Sequence, residues 1–145
     1  MGRISSRYRE LDISMTNTIH ALIIDDNAMS TEVLAQLLAL EGATSTVVRD
    51  PGQLPDAISD LPHLDVVFLD LEMPSADGYT VLEYLKDSLR TQAPIVACTA
   101  HANEVNTARQ HGFHSFLGKP LDADAFPGYL RRILNDERVW VSKSR

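Results

Sequence analysis

The sequence predicts an α/β fold in which helices cover both faces of a doubly wound, five-stranded parallel sheet. Strand-like and helix-like segments alternate five times between residues 19 and 136, an order typical of (βα)5 folds. The loops between these segments are short, and right-handed crossovers then place helices on both faces. The chain has 145 residues, of which 44% are hydrophobic, and this suits one domain with a sizeable core.

The first strand, helix and second strand are predicted from apolar runs and a stop signal. Residues 19–24 (IHALII) form an apolar run that predicts the first strand. A helix is predicted over 28–41 because its apolar residues recur on one face, and Gly42 follows as a natural stop. The second strand is predicted at 44–48 (TSTVV).

The second helix is predicted to be short. Asp50 and Gln53 form a start that resembles a capping box, with Pro51 at the first helical position. Pro55 lacks an amide donor, so this helix is expected to begin late and to end near Asp60.

The remaining elements repeat the alternation. The third strand is predicted at 66–69 (VVFL), the fourth at 94–99 (PIVACT) and the fifth at 115–118 (SFLG). The helices that follow these strands are predicted at 78–87, 102–111 and 122–135.

The two ends of the chain are expected to lie outside the domain. Residues 1–18 are polar and without periodicity, which predicts a disordered lead or a tag. The domain is predicted over 19–136, followed by a short tail at 137–145. No second domain is expected.

Composition excludes several classes of function. The net charge is −7, and the acidic body argues against direct binding of nucleic acid. No run of about 18 apolar residues is present and no secretory signal begins the chain, so membrane insertion is not expected. The single cysteine, Cys98, lies in an apolar run, which predicts a small buried side chain in a reducing, cytoplasmic compartment.

Charged and hydroxyl side chains follow four of the predicted strands. Asp25 and Asp26 end the first, Asp70 the third and Thr99 the fourth, while Lys119 follows the fifth. Because ligands of doubly wound sheets bind at the carboxyl ends of strands, these side chains are expected to converge in one crevice.

Three carboxylates so close together repel one another, and Lys119 offsets only one of the charges. The remedy is a hard divalent cation, and Mg²⁺ typically binds one or two carboxylates together with a phosphate oxygen. The crevice therefore predicts a site for Mg²⁺ and a phosphoryl group. Asp70 is the predicted nucleophile toward phosphorus, with Lys119 and the Thr99 hydroxyl stabilising the transferred group.

Four motifs in this order, LIIDDN, VVFLDLEMPSADGY, PIVACTA and FLGKP, resemble the receiver domain of bacterial two-component response regulators. The resemblance covers about residues 19–136, and TAHANE and FLGKPLD are closest to receivers of hybrid kinases and phosphorelays. It implies a flavodoxin-like sheet with strand order 2-1-3-4-5.

The resemblance also assigns the metal and acceptor residues. Asp70 matches the phospho-accepting aspartate, which also contacts Mg²⁺. Asp25 and Asp26 match the acidic pair that holds the metal, and the backbone carbonyl of Glu72 matches the third protein ligand.

Other positions match the conformational switch of the family. Thr99 matches the switch hydroxyl, Lys119 the site lysine and Phe116 the aromatic that turns inward on activation. Phe116 lacks the hydroxyl of the commoner tyrosine. Glu72 and His101 flank the route of attacking water, and the phosphoryl lifetime is left open.

The expected function is that of a stand-alone receiver, a signalling phospho-acceptor and not an enzyme. A histidine kinase or histidine-phosphotransfer protein would donate the phosphoryl group, and Met29 is a candidate contact for such a donor. Output would pass to a protein partner through the face of helix four, strand five and helix five, and a homodimer on phosphorylation is left open.

Two alternatives stand beside this interpretation. One is a small phosphatase with an aspartyl-phosphate intermediate, in which Glu72 would serve as general acid. The other is a degenerate receiver that acts only as a protein-binding scaffold. The complete set of five site residues argues against the scaffold.

Overall fold

A parallel sheet of six strands runs through residues 18–89 and 91–142, which are the residues that the computed structural model describes. The order across the sheet is β2-β1-β3-β6-β7-β8, and every neighbouring pair is parallel. A separate antiparallel hairpin, β4-β5, lies in the loop after β3. The strands are β1 (His20–Ile24), β2 (Thr44–Val48), β3 (Val66–Leu69), β4 (Glu72–Met73), β5 (Ala76–Asp77), β6 (Ile95–Thr99), β7 (Ser115–Gly118) and β8 (Trp140–Val141).

Within this described part of the chain, five α-helices connect the strands, and two of them are preceded by a turn of 3-10 helix at Pro51–Gln53 and Ala102–Glu104. The longest helix has 13 residues, whereas about 20 are needed to cross a bilayer. Among the described residues, no helix is long and apolar enough to span a membrane. The helices are α1 (Ala28–Leu40), α2 (Leu54–Ser59), α3 (Gly78–Ser88), α4 (Val105–Gln110) and α5 (Phe126–Leu134).

The central strands are buried on both faces, which explains why they are continuous apolar runs instead of alternating ones. Successive side chains point to opposite faces, so Ile23 and Ile24 join different hydrophobic clusters. One cluster includes Leu82 and Leu85 of α3, and the other includes Leu34 and Leu38 of α1. The sheet is therefore held rigidly between two apolar layers.

The helix termini agree with the signals in the sequence. The Asn27 side chain accepts a hydrogen bond from the amide of Ser30 at 2.8 Å and caps α1. Gly42 has a φ of 79° and ends the turn after α1, which is a conformation that favours glycine. The second helix begins late, as Pro55 predicts, because residues 51–53 form a 3-10 turn.

The predicted doubly wound parallel sheet is confirmed, and the five predicted strands, which are β1, β2, β3, β6 and β7, lie within one residue of their predicted bounds.

The last helix, α5, is shorter than predicted and begins at Phe126. The reason is a turn before it, in which the Asp122 side chain accepts from the amides of Asp124 and Ala125 at 3.0 and 3.2 Å. Those bonds replace the first helical turn.

The five predicted strands form the sheet in the predicted order 2-1-3-4-5, and β8 adds a sixth strand beyond β7 that the sequence analysis did not predict. Trp140 pairs with Phe116 and Val141 with Leu117, within the segment predicted as a tail. Two residues are too short for a strand signal in the sequence, and this strand forms because β7 offers an open edge. The predicted lead lies outside the described residues except for residue 18.

We expect Leu82→Ala to lower the free energy of unfolding by about 2–5 kcal/mol, because Leu82 is fully buried between α3 and the sheet. Leu40→Ala is the matched control, since Leu40 is 80% exposed at the end of α1. Urea unfolding followed by circular dichroism measures both. Equal losses for the two variants would contradict the described packing.

Candidate functional site

Two buried carboxylates lie side by side at the carboxyl edge of the sheet. Asp25 follows β1 and Asp70 follows β3, and the parallel register of these neighbouring strands brings them to the same level. The Asp70 amide donates to the carbonyl of Ile24 at 2.9 Å, so the ladder extends to the site. Their positions are thus set by the sheet and not by a loop.

A third carboxylate, Asp26, joins them at the surface. Asp25, Asp26 and Asp70 each offer an oxygen, and these oxygens all lie within 4.8 Å of one another. Two of the residues are buried and Asp26 is exposed. A cluster of carboxylate oxygens open to water on one side is the donor set that Mg²⁺ prefers, so the residues present fit this metal.

Backbone amides hold the two buried carboxylates in fixed orientations. Asp70 Oδ1 accepts from the amide of Glu72 at 3.1 Å, and Asp25 Oδ1 accepts from the amide of Asn27 at 3.0 Å. The second oxygen of each carboxylate faces Lys119. The metal-binding role of the Glu72 carbonyl stays a prediction.

The ammonium group of Lys119 lies between the carboxylates. Its Nζ is 2.7 Å from Asp25 Oδ2, 3.6 Å from Asp70 Oδ2 and 3.1 Å from Ser30 Oγ. The Lys119 amide donates to the carbonyl of Thr99 at 2.9 Å, which continues the pairing of β6 and β7. The shorter of the two ion pairs is therefore the one with Asp25, and Asp70 is the less neutralised carboxylate.

The charge states follow from burial and from this pairing. Burial raises the pKa of Asp70 to about 6, and the charge of Asp25 acts in the same direction, while Lys119 and the Glu72 amide oppose the shift. Burial by itself would lower the pKa of Lys119. The hydrogen bond to Asp25 and the nearby negative charges outweigh burial and raise that pKa above its ordinary value.

The two predicted switch residues are buried next to the site. Thr99 ends β6, and its Oγ1 lies 3.5 Å from the amide nitrogen of His101, at the limit of a hydrogen bond. Phe116 lies on β7, fully buried, with its ring in the same core cluster as Leu82. Their movement on activation stays a prediction.

An exposed pair stands at the rim of the site. His101 Nε2 is 3.4 Å from Glu72 Oε1, and about half of each side chain is exposed. An exposed pair of this kind contributes at most about 1 kcal/mol to stability. It connects the loop after β6 to the hairpin β4-β5.

Beside Asp70 lies a largely apolar cavity of about 320 Å³ that the sequence did not reveal. Met29 and Val33 of α1 line it, together with Leu121 from the loop after β7. Asp25, Asp70 and Lys119 are among the lining residues, together with Ser30, which the sequence reasoning also missed. Only the position of Ser30 one turn after the acidic pair could have indicated it.

Cys98 also lines this cavity, but its buried thiol is not an activated one. It is a free cysteine, and burial raises the pKa of its thiol to about 12. The thiol is neutral at physiological pH and behaves as a small apolar side chain, as the sequence predicts.

Comparison with known proteins agrees with this geometry. The family model of the response regulator receiver domain matches residues 21–131. The transcription factor SKN7 of Saccharomyces cerevisiae is 31% identical over 86% of this chain and 20% of its own length. The osmosensing histidine protein kinase SLN1 of the same yeast is 30% identical over 72% of this chain and 9% of its own length.

A bacterial relative and a solved structure give the same result. An uncharacterized response regulatory protein of Vibrio cholerae is 31% identical over 83% of this chain and 50% of its own length. The part of each relative that matches this chain is thus half or less of that relative's own length. A CheY-like receiver domain structure from Methylobacillus flagellatus has a TM-score of 0.71 and 25% identity, covering 81% of this chain and 99% of that one. The chain belongs to the response regulator receiver family of two-component signalling.

Proposed function

We propose that Asp70 accepts a phosphoryl group from a phosphohistidine donor in a Mg²⁺-dependent reaction, and that the product switches a protein-interaction surface. One observation carries this proposal. The Asp70 carboxylate is held at a strand end with Lys119 Nζ 3.6 Å away and two further carboxylates within reach of a shared cation. A nucleophile, a fixed cation and a metal site therefore meet at one point.

The chemistry follows from the geometry of Asp70. A carboxylate oxygen attacks phosphorus, a new O–P bond forms, and the P–N bond to the donor imidazole breaks with the electron pair leaving on nitrogen. The product is an acyl phosphate. The nucleophile must be ionised, and a pKa of about 6 leaves Asp70 largely ionised at neutral pH. The Glu72 amide fixes one oxygen of the carboxylate.

The metal would be held by Asp25, Asp26 and Asp70, with the Glu72 carbonyl as a further protein ligand. When bound, Mg²⁺ supplies positive charge that offsets the clustered carboxylates and the phosphoryl oxygens. Lys119 supplies a second fixed positive charge on the side of Asp25. The positive charges of Mg²⁺ and Lys119 would together offset the electrostatic cost of burying the carboxylates.

The donor is proposed to be a histidine kinase or a histidine-phosphotransfer protein. The relative SLN1 is named as a histidine protein kinase, which is consistent with a phosphorelay. Met29 is 74% exposed and Val33 is 45% exposed, and both stand at the mouth of the apolar cavity beside Asp70. Apolar side chains next to a reacting group favour docking of a protein donor over a small polar substrate.

Output is proposed to pass through Thr99 and Phe116 to the face formed by α4, β7 and α5. The Thr99 hydroxyl would bond to the new phosphoryl group, and the loop to α4 would follow it. A stand-alone, cytoplasmic receiver, a protein partner on this face and dimerisation on phosphorylation stay predictions. The phosphatase alternative has no observation in its favour, because the Glu72 side chain contacts His101.

The first test is the mass of the intact protein after incubation with Mg²⁺ and acetyl phosphate. We expect one added phosphoryl group in the wild type and none in Asp70→Asn or after EDTA treatment. If no adduct forms and beryllofluoride also fails to bind, the degenerate scaffold is the correct interpretation. Steady release of phosphate from phosphomonoesters would instead favour the phosphatase.

A second test uses the buried charge of Asp70. In EDTA at pH 7.5 we expect Asp70→Asn to raise the free energy of unfolding by about 1–3 kcal/mol, because each unit of pKa shift corresponds to ~1.4 kcal/mol. The pKa of Asp70 rises from 3.8 in the unfolded chain to about 6 in the fold. The folded protein therefore binds the proton more tightly than the unfolded chain does. The free energy of unfolding of the wild type accordingly falls as the pH rises from 3.8 to about 6.

The pH profile provides the control for this second test. Well below the unfolded pKa of 3.8 the carboxyl is protonated in both states, so the advantage of Asp70→Asn should disappear there. Asp124→Asn removes an exposed carboxylate and should leave stability unchanged within about 0.5 kcal/mol. Urea unfolding as a function of pH measures both variants. An advantage of Asp70→Asn that does not vary with pH would refute the electrostatic explanation.

A third test separates donor docking from chemistry. We expect Met29→Glu to slow phosphoryl transfer from a phosphorylated histidine-phosphotransfer protein at least tenfold, while the rate with acetyl phosphate stays within about twofold of the wild type. Leu40→Glu is the matched control, because Leu40 is 80% exposed, close to the 74% of Met29, but lies at the far end of α1. Equal slowing with both donors would mean that Met29 acts on the site itself.

A further inference from the structure

The segment 137–142, here called the strap, covers the outer edge of β7. The Phe116 amide donates to the carbonyl of Val139 at 2.8 Å, and Trp140 and Val141 continue the parallel pairing. Val139 is buried, so the strap is also held by an apolar contact. The edge strand of the sheet is thus supplied by the strap and not by β7.

Polar contacts at the opposite end of the sheet from Asp70 fix the start of the strap. His114 Nε2 is 2.9 Å from Asp136 Oδ1, and the Ser115 hydroxyl accepts from the Val139 amide at 2.9 Å. Asp136 has a φ of 68°, in the left-handed region that few residues other than glycine adopt. The chain therefore reverses sharply after α5 and runs back along β7.

The far end of the strap comes close to the candidate site. A methyl group added at Gly118 would lie 2.6 Å from the carbonyl oxygen of Ser142, so the strap and β7 are in tight contact there. Gly118 directly precedes Lys119. The strand that the strap covers thus contains Phe116, a residue of the proposed switch, and leads directly into Lys119.

A second connection runs from the strap to α4. The Arg109 guanidinium carbon lies 4.6 Å from the centre of the Trp140 ring, which is cation–π distance. Helix α4 follows the loop that begins at Thr99. A movement of Thr99 toward Asp70 would therefore be transmitted through α4 to Trp140.

Resting on the proposed function, we infer that the strap is a displaceable strand whose docking on β7 is coupled to phosphorylation of Asp70. It is docked when Asp70 is a free carboxylate, and it loosens when Thr99 and α4 move toward the phosphoryl group. Its ladder is two residues long, so its local stability is at the low end for this fold. Loosening uncovers the edge of β7 for pairing with an extended strand of a partner.

The coupling is reciprocal by thermodynamic necessity. If phosphorylation weakens docking of the strap, then weakening the strap strengthens binding of a phosphoryl analogue by the same factor. The affinity of a phosphoryl analogue therefore reports on the coupling without any probe in the strap.

Trp140 makes the inference directly measurable, because it is the only tryptophan of the chain. We expect Mg²⁺ and acetyl phosphate to shift its emission to the red and to increase its quenching by acrylamide, in proportion to the phosphoryl content of the same sample measured by mass. Asp70→Asn should show neither change. A phosphorylated protein with unchanged emission and quenching would overturn the strap inference while the proposed function stands. A protein that incorporates no phosphoryl group and also fails to bind beryllofluoride would overturn both.

Two variants sharpen the test. Arg109→Ala removes the contact between α4 and the strap from an exposed position, and we expect it to lose most of the emission response while phosphoryl incorporation is unchanged. Arg131→Ala removes an exposed arginine of α5 and should respond like the wild type. Trp140→Ala should bind beryllofluoride about fivefold more tightly by calorimetry. Equal affinity of Trp140→Ala and the wild type, or a full response of Arg109→Ala, would refute the coupling.

Discussion

The burial of two carboxylates side by side, with one lysine between them, is the constraint on which the rest of this structure depends. Asp25 and Asp70 are carried into a low-dielectric edge by β1 and β3, whose apolar runs hold them there. Lys119 is hydrogen-bonded to Asp25 and only approaches Asp70. The arrangement leaves a net negative charge that the fold itself does not neutralise. A divalent cation is the chemical species that would relieve it, and the same cation would offset the charge of a transferred phosphoryl group, so the cost in stability and the proposed function have the same origin.

The two apolar layers make this cost tolerable. Because β1, β3 and β6 are buried on both faces, their ends are fixed in relation to one another, and side chains at those ends cannot move apart to reduce repulsion. Rigid placement would also give Asp70, the proposed nucleophile, a defined orientation toward an incoming donor. The conformational change that we propose takes place instead in the loops after these strands and in the short helix α4. The site thus combines carboxylates fixed at strand ends with neighbouring loops that can change conformation.

The strap at the edge of the sheet also belongs to the parts of the structure that we propose can move. Its strand pairing is only two residues long, yet it touches β7, which leads into Lys119, and α4, which follows Thr99 in the chain. Its docking depends on contacts between residues far apart in sequence, such as Arg109 with Trp140. Such weakly held edges are the places where a small change at a buried site can have a large effect at the surface.

The sequence by itself determined the doubly wound sheet, nearly all strand bounds and the convergence of Asp25, Asp26, Asp70 and Lys119 on one edge, because apolar runs and the rule for parallel strands act locally and regularly. It did not determine which carboxylate the lysine prefers, since a difference of 2.7 against 3.6 Å depends on how β7 and α1 pack. Nor did it reveal Ser30, the apolar cavity under Met29 or the sixth strand. Each of these arises where segments distant in the chain meet, and only the tertiary structure brings them together.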